Sequence, residues 1–360
     1  MEELIQSIYE TLEDYRADED SIEVRITKDG IQSWINQFDE VDRLIILQEL
    51  QQIFVKRYCS KNKMKEFLKS IVEELTKHFK CDSPVEFLRN STFLDLQAEG
   101  KSQKIMLQLF NDFIFETYNM ELTDCGTVSK KYSIYIDDIL CTGNTLVRNI
   151  KDWSEIEFSA GKSNKQAVSD NSTILVIAYM FIHVKNYYKK KAEMKHNISQ
   201  DISNKHCMYY ELDVHNNPDS TLDIIWPLEA NQPEIVHIYK NKVMQLVDEY
   251  TKSKGYGTSV DEFYRTVGTP NNESLFTNSE NRSTVENAFL KKGIEILNAS
   301  AVNVSNMRTL GFSLPSHKNF GFGTLCFTWR NVPNNTPLVF WYLGGGFIPL
   351  FKVKRGNSIF

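Results

Sequence analysis

Apolar residues recur along this chain with two different periods, and the change of period divides it. Up to residue 75 the period is helical. Ile31, Trp34, Ile35 and Phe38 fall at i, i+3, i+4 and i+7, so they share one helix face. Leu44, Leu47, Leu50, Ile53 and Phe54 make a second such stripe, and Phe67, Leu68, Ile71, Val72 and Leu75 a third, with a polar break at 59–62 between them. From residue 93 the pattern changes. FLDL at 93–96 reads as a short strand, 97–103 (QAEGKSQ) as a loop, and 105–118 as a long amphipathic helix. An alternating strand over 132–138 and a helix from about Leu146 come next, then a polar insertion over 154–172 that is expected to be mobile. Residues 173–182 (TILVIAYMFI) are almost continuously apolar, as in a strand covered on both faces of a parallel sheet, and 208–212 reads as a further strand. This alternation predicts an α/β fold, an open and mainly parallel sheet with its ligand at the carboxyl ends of the strands.

Beyond Trp226-Pro227 the pattern loosens. Helices are expected over 235–250 and, with caps at both ends, over 283–297. Two β-rich runs, 325–329 and 338–342, are joined by the turn VPNNTP. With no Pro/Gly-rich linker before residue 90, the first helices read as a layer attached to the α/β core. The expected organisation is a helical region over 1–90, an α/β core over 91–250, and a β-rich α+β extension over 251–360 packed on that core.

The 360 residues are enough for a substantial core, and their net charge of −6 argues against a general nucleic-acid coat. One dense cationic run, 185–195 (KNYYKKKAEMK), has two readings: the solvated face of a helix, or a nucleic-acid contact through Tyr187 and Tyr188. No segment reads as a membrane span or a secretion signal, which points to a soluble, cytoplasmic protein. The six cysteines are scattered without a CxxC pair, against a disulfide framework or structural zinc.

The chemistry concentrates in 132–146, YSIYIDDILCTGNTL. Its strand delivers two adjacent carboxylates, Asp137 and Asp138, and a short loop of Cys141, Thr142, Gly143, Asn144 and Thr145 turns into a helix. Backbone N–H groups at a helix start converge on an anion, and the dipole favours negative charge there. Thr142 and Thr145 add hydroxyls, Gly143 permits a positive φ and close approach, and Asn144 tolerates the same conformation. Two acids beside an anion site make sense if the ligand also carries vicinal hydroxyls or a magnesium ion. The plain alternative is a strand-to-helix turn in which the acids only cap a helix.

This segment resembles the 5-phosphoribosyl-1-pyrophosphate (PRPP) motif of the type I phosphoribosyltransferases: apolar strand, acid-Asp, two apolar residues, a variable position, then Thr-Gly-x-Thr. The resemblance implies that residues 141–145 hold the ribose 5-phosphate. It assigns Asp137 and Asp138 to the ribose hydroxyls, to stabilising positive charge at the anomeric carbon, and to Mg²⁺. It also implies that Gly100, Lys101 and Ser102, one βα unit earlier, hold pyrophosphate; an ordinary βα turn explains them equally well. Arg282 is open in the same way, as a ligand contact or as half of an i,i+4 pair with Glu286.

Over most of its length the chain is similar to phosphoribosyltransferase-like proteins of bacterial conflict and anti-phage operons. The similarity lies in WINQF (34–38), LQAEGKSQ (96–103), the motif, LFTNSENRSTVE (275–286) and FTWRNVPNNTPLVFW (327–341). It departs from purine-salvage members, which carry aspartate where this chain has Cys141, and the segment after residue 118 is short for a covering loop. Three functions are expected on these grounds. One is an enzyme acting on PRPP or a nucleotide 5-phosphate with Mg²⁺, with water as acceptor if no lid covers the site. Another is a noncatalytic sensor subunit, and the third is an operon-encoded subunit that binds a partner protein or nucleic acid through residues 1–90.

Overall fold

The computed structural model describes every residue except 20, 218, 256–260, 301–305 and 354–360. In chain order the helices and strands begin with α1 (Glu2–Leu12), α2 (Lys28–Ile35), α3 (Glu40–Arg57), β1 (Tyr58–Cys59), α4 (Lys61–His78) and α5 (Pro84–Arg89). Then come β2 (Ser91–Phe93), α6 (Ser102–Tyr118), β3 (Tyr132–Leu140), α7 (Asn144–Glu155), β4 (Glu157–Ser159), β5 (Lys162–Ser163) and α8 (Asn164–Ser169). The rest are β6 (Ile174–His183), α9 (Val184–Asn197), α10 (Gln200–Lys205), β7 (Cys207–Val214), α11 (Glu234–Lys254), α12 (Ser279–Ala299), β8 (Phe327–Thr328) and α13 (Leu338–Trp341). The chain forms two compact units: Lys61–Val214, and a second made of Met1–Ser60 with His215–Phe360. These boundaries differ from the expected 1–90, 91–250 and 251–360.

Lys61–Val214 is the α/β unit. Its sheet is parallel throughout, in the order β2-β3-β6-β7, so spatial order follows chain order. Tyr132 to Leu140 of β3 pair with Ile174 to Ile182 of β6 in unbroken register. β6 is buried along nearly its whole length, as its unbroken apolar run requires. One face of the sheet packs Tyr135, Ile177 and Tyr179 against Leu146, Ile150 and Trp153 of α7, Met194 of α9 and Ile202 of α10. The expected mobile insertion is instead structured. β4 and β5 form an antiparallel pair, and α8 buries Ala167 and Val168 and carries a capping box between Ser163 and Gln166.

The other unit gathers chain from both ends. Trp34 of α2 is fully buried and donates its indole N–H to the Val339 carbonyl at 2.7 Å. Its ring stacks on Phe340 at 6.0 Å and meets Phe38 and Phe289 edge-on, while Phe54 and Phe327 close the cluster around Phe340. β1 pairs in parallel with β8, Tyr58 opposite Phe327. These long-range contacts assign α1 to α3 to the C-terminal segment, while α4 and α5 belong to the sheet unit.

Two local expectations fail here. Leu44 is 47% exposed; Ile46 and Leu47 take the buried places in α3. The run 338–342, expected as a strand, is a short helix entered from Pro337, with Tyr342 N donating to the Leu338 carbonyl at 2.9 Å. Leu338 to Trp341 are buried on every side, so their branched and aromatic character reflects burial and carries no period. Trp34→Ala is expected to lower the unfolding free energy of this unit by about 3–5 kcal/mol, read as a shifted denaturation midpoint by tryptophan-independent circular dichroism.

Candidate active site

The site is built at the carboxyl ends of β2 and β3. Because the two strands are parallel neighbours, with Phe93 level with Ile134, the chain leaves both at the same edge of the sheet. After β2 it forms the 94–101 loop and enters α6; after β3 it forms the motif loop and enters α7. Neither helix has a side-chain cap: Lys101 occupies the N-cap of α6 and Gly143, at φ 73°, that of α7. Each of these helices thus follows one of two neighbouring strands and has first-turn amides that no capping side chain satisfies, an arrangement suited to anions.

Asp137 is the hub. It is 5% exposed, and both of its oxygens are engaged. Oδ1 accepts from Ser102 Oγ at 2.8 Å and from the Asp138 amide at 3.0 Å; Oδ2 accepts from Gln97 Nε2 at 2.7 Å and from the Tyr135 hydroxyl at 3.1 Å. Tyr135 in turn accepts from Asn149 Nδ2 of α7 at 3.2 Å. Gln103, fully buried, takes the Leu96 and Gln97 amides on its oxygen at 2.8 and 3.0 Å and donates to the Ile136 carbonyl at 3.3 Å. The 94–101 loop is therefore fastened to β3 by Gln97 within it and by Ser102 and Gln103 just past its end. Burial first, and then the neighbouring Asp138 charge, push the Asp137 carboxyl up to about 7, against the pull of its donors.

Asp138 is 4% exposed, and its Oδ1 accepts from the Ile139 amide at 2.8 Å. Cys141 is buried, and its carbonyl accepts from Asn186 Nδ2 of α9 at 2.8 Å. Thr142 is half-buried, Gly143 buried, and Asn144 and Thr145 exposed. Gly143 also lies under Lys190 of α9: a Cβ there would stand 2.6 Å from Lys190 Cγ. The structure thus brings Ser102 to the acid pair, with its hydroxyl turned to Asp137. Gly100, at φ 79°, and Lys101 stay at the exposed turn of the same loop.

Arg282 is placed differently. It belongs to the other unit, is fully buried, and its guanidinium bonds Glu273, Glu286 and the carbonyls of Leu222 and Ile224. Of its two sequence readings, the i,i+4 pair with Glu286 is the one present, at 3.2 Å, and no surface of Arg282 is left for a ligand. Magnesium commonly takes one or two carboxylates, with phosphate and water supplying its other ligands. Among the described residues no group of three or more metal-ligating side chains forms, and the four donors on Asp137 occupy its lone pairs, so direct ligation by Asp137 does not fit. Gln97, Gln103, Tyr135 and Asn149 went unread in the sequence because single polar residues in strands and helices carry no motif. Two of them lie inside the LQAEGKSQ segment.

The parallel α/β unit with this strand-loop-helix site defines a phosphoribosyltransferase-like protein. Residues 31–353 match the PRTase-CE family, and the chain belongs to it. Among solved structures, adenine phosphoribosyltransferase from Leishmania donovani is similar over 41% of this chain at 17% identity and a TM-score of 0.22; the match spans 65% of that enzyme's chain, short of two-thirds. No curated protein matches. Among the described residues no helix is long and apolar enough to cross a membrane.

Because the folded state holds a proton on Asp137 more tightly than the unfolded chain does, this group weakens the fold as pH climbs from the ordinary 3.8 through about 7. Wild-type stability is expected to fall by on the order of 2 kcal/mol between about pH 5 and about pH 8 relative to Asp137→Asn. Parallel slopes for the two proteins in urea titrations across that range would contradict the shift.

Proposed function

We propose that the α/β unit binds a ribose 5-phosphate, as PRPP or as a nucleotide 5-phosphate, and acts at the ribose anomeric carbon. The observation that carries this is the uncapped start of α7 behind Gly143, at the end of a strand that bears two acids. The 5-phosphate would accept from the amides of residues 142–145 and from the Thr142 and Thr145 hydroxyls. A pyrophosphate would lie toward Gly100 and Lys101 at the start of α6. Mg²⁺ would arrive with the pyrophosphate, held mainly by phosphate oxygens and water, as that ion prefers. In substitution the anomeric carbon loses its bond to pyrophosphate and gains one to the acceptor, passing through a positively charged sugar that Asp138 would stabilise. Asp137, saturated by its own donors, would hold the loops and Asp138 in place.

Cys141 stands where purine-salvage relatives carry an acid for proton transfer to the base, and the 119–131 segment is pinned down. Gly126 and Val128 donate to the Leu88 and Arg89 carbonyls at 3.2 and 3.0 Å. Water as acceptor is consistent with both features, making the reaction breakdown of the sugar phosphate. An effector of anti-phage defence with an operon-encoded partner is the setting that the family resemblance suggests. The inward-turned Asp137 favours a second reading, a noncatalytic sensor of the same ligand.

Mass spectrometry of the protein incubated with PRPP, Mg²⁺, bases and nucleotides separates the two. The enzyme predicts consumption of PRPP or a nucleotide that Asp138→Asn lowers by about 100-fold. The sensor predicts a raised melting temperature with PRPP and no turnover. Neither turnover nor stabilisation would refute both.

A further inference from the structure

The cationic run at 185–195 finds a place at this site. β6 passes into α9 without a loop, His183 being both its last residue and the helix N-cap, so the first turns of α9 rise beside the end of β3. Asn186 and Lys190 are i and i+4 and share a helix face. Asn186 donates to the Cys141 carbonyl, and the Lys190 stem covers Gly143. The placement of α9 is firm: Tyr187 OH and His206 Nε2 are 2.8 Å apart, and Ser203 Oγ donates to the Lys191 carbonyl at 2.8 Å. The Lys190 side chain is only 15% exposed, unlike an ordinary solvated lysine, and its ammonium pairs at 2.6 Å with Glu193, whose side chain is 37% exposed.

We infer that Lys190 is a phosphate ligand of the motif loop and that Glu193 is the internal anion which occupies its ammonium until a phosphate takes over. This rests on the proposed binding of a ribose 5-phosphate and adds to it a residue that lies outside the motif. Lysine suits the part. With Cβ and Cγ fixed against Gly143, only Cδ, Cε and Nζ remain to swing, and these keep the charge within reach of the loop amides. Glu193, one turn further on, offers a single carboxylate negative charge, whereas a sugar phosphate offers up to two charges and also meets the α7 amides. The ligand therefore outcompetes the glutamate. Gly143 is required twice, by its φ of 73° and by the lysine that lies on it. The ligand class is a phosphomonoester on a ribose; a free ribose gains nothing from Lys190.

The test is calorimetric titration of the full chain with PRPP, ribose 5-phosphate and ribose. Lys190→Met keeps the stem over Gly143 and removes the charge. It is expected to weaken PRPP and ribose 5-phosphate by about tenfold or more, with Lys190→Arg restoring most of the loss. Glu193→Gln is expected to tighten both by about threefold, and that gain should vanish in the double variant with Lys190→Met. Binding by wild type that Lys190→Met leaves unchanged would overturn the assignment while the phosphate loop stands. An unchanged affinity in Glu193→Gln would overturn the role of the glutamate, and a folded wild type that binds neither phosphate would sink the proposed phosphate site and Lys190 with it.

Discussion

A single buried carboxylate holds the working edge of this protein together. Asp137 sits in the sheet with donors from the Asp138 amide, from Tyr135 of its own strand, from Gln97 in the loop that comes after the neighbouring strand, and from Ser102 at the start of α6. A buried charge without such partners would be several kcal/mol too unfavourable to persist. Here the donors hold the 94–101 loop and the start of α6 against β3. Remove the carboxylate and Ser102, Gln97 and Tyr135 each lose a buried acceptor, leaving Gln103 as the other side chain that ties the loop to β3.

That constraint also shapes the chemistry. The donors that hold the loop already occupy the Asp137 oxygens, and its elevated proton affinity reflects the low-dielectric site it occupies. The two adjacent acids are both buried, and the four donors on Asp137 tie it to the 94–101 loop, to the start of α6 and to its own strand. The same economy of polar contacts runs through α9, which closes the motif loop from the other side through Asn186 and Lys190.

The second unit obeys a different principle. Its aromatic cluster joins Trp34 and Phe54 to Phe289, Phe327 and Phe340, so the chain must complete almost its whole length before the first helices find their core. Within it, Arg265, Arg282, Glu273 and Glu286 form a buried ionic group whose members satisfy one another. Breaking such a group leaves an uncompensated charge, which is why Arg282 belongs to the fold of this unit.

Local sequence determined much of this. The stripe from Ile31 to Ile35, that at 67–75, the apolar run of β6 and the strand-loop-helix at 132–146 became the expected elements because each records its period or turn chemistry in consecutive residues, while Phe38 lies in the turn past the end of α2. The turn at 141–145 was legible for the same reason, since the start of a helix behind a glycine is a local backbone shape. What only the tertiary structure decided lies at long sequence separation: that α1 to α3 fold with the C-terminal segment, that 338–341 coil into a helix, that Arg282 is enclosed by acids, and that Gln97, Ser102, Asn149 and Lys190 converge on the motif. A side chain's partner across the fold leaves no period in the sequence, because contact depends on where whole elements pack and on which polar groups burial forces to find one another.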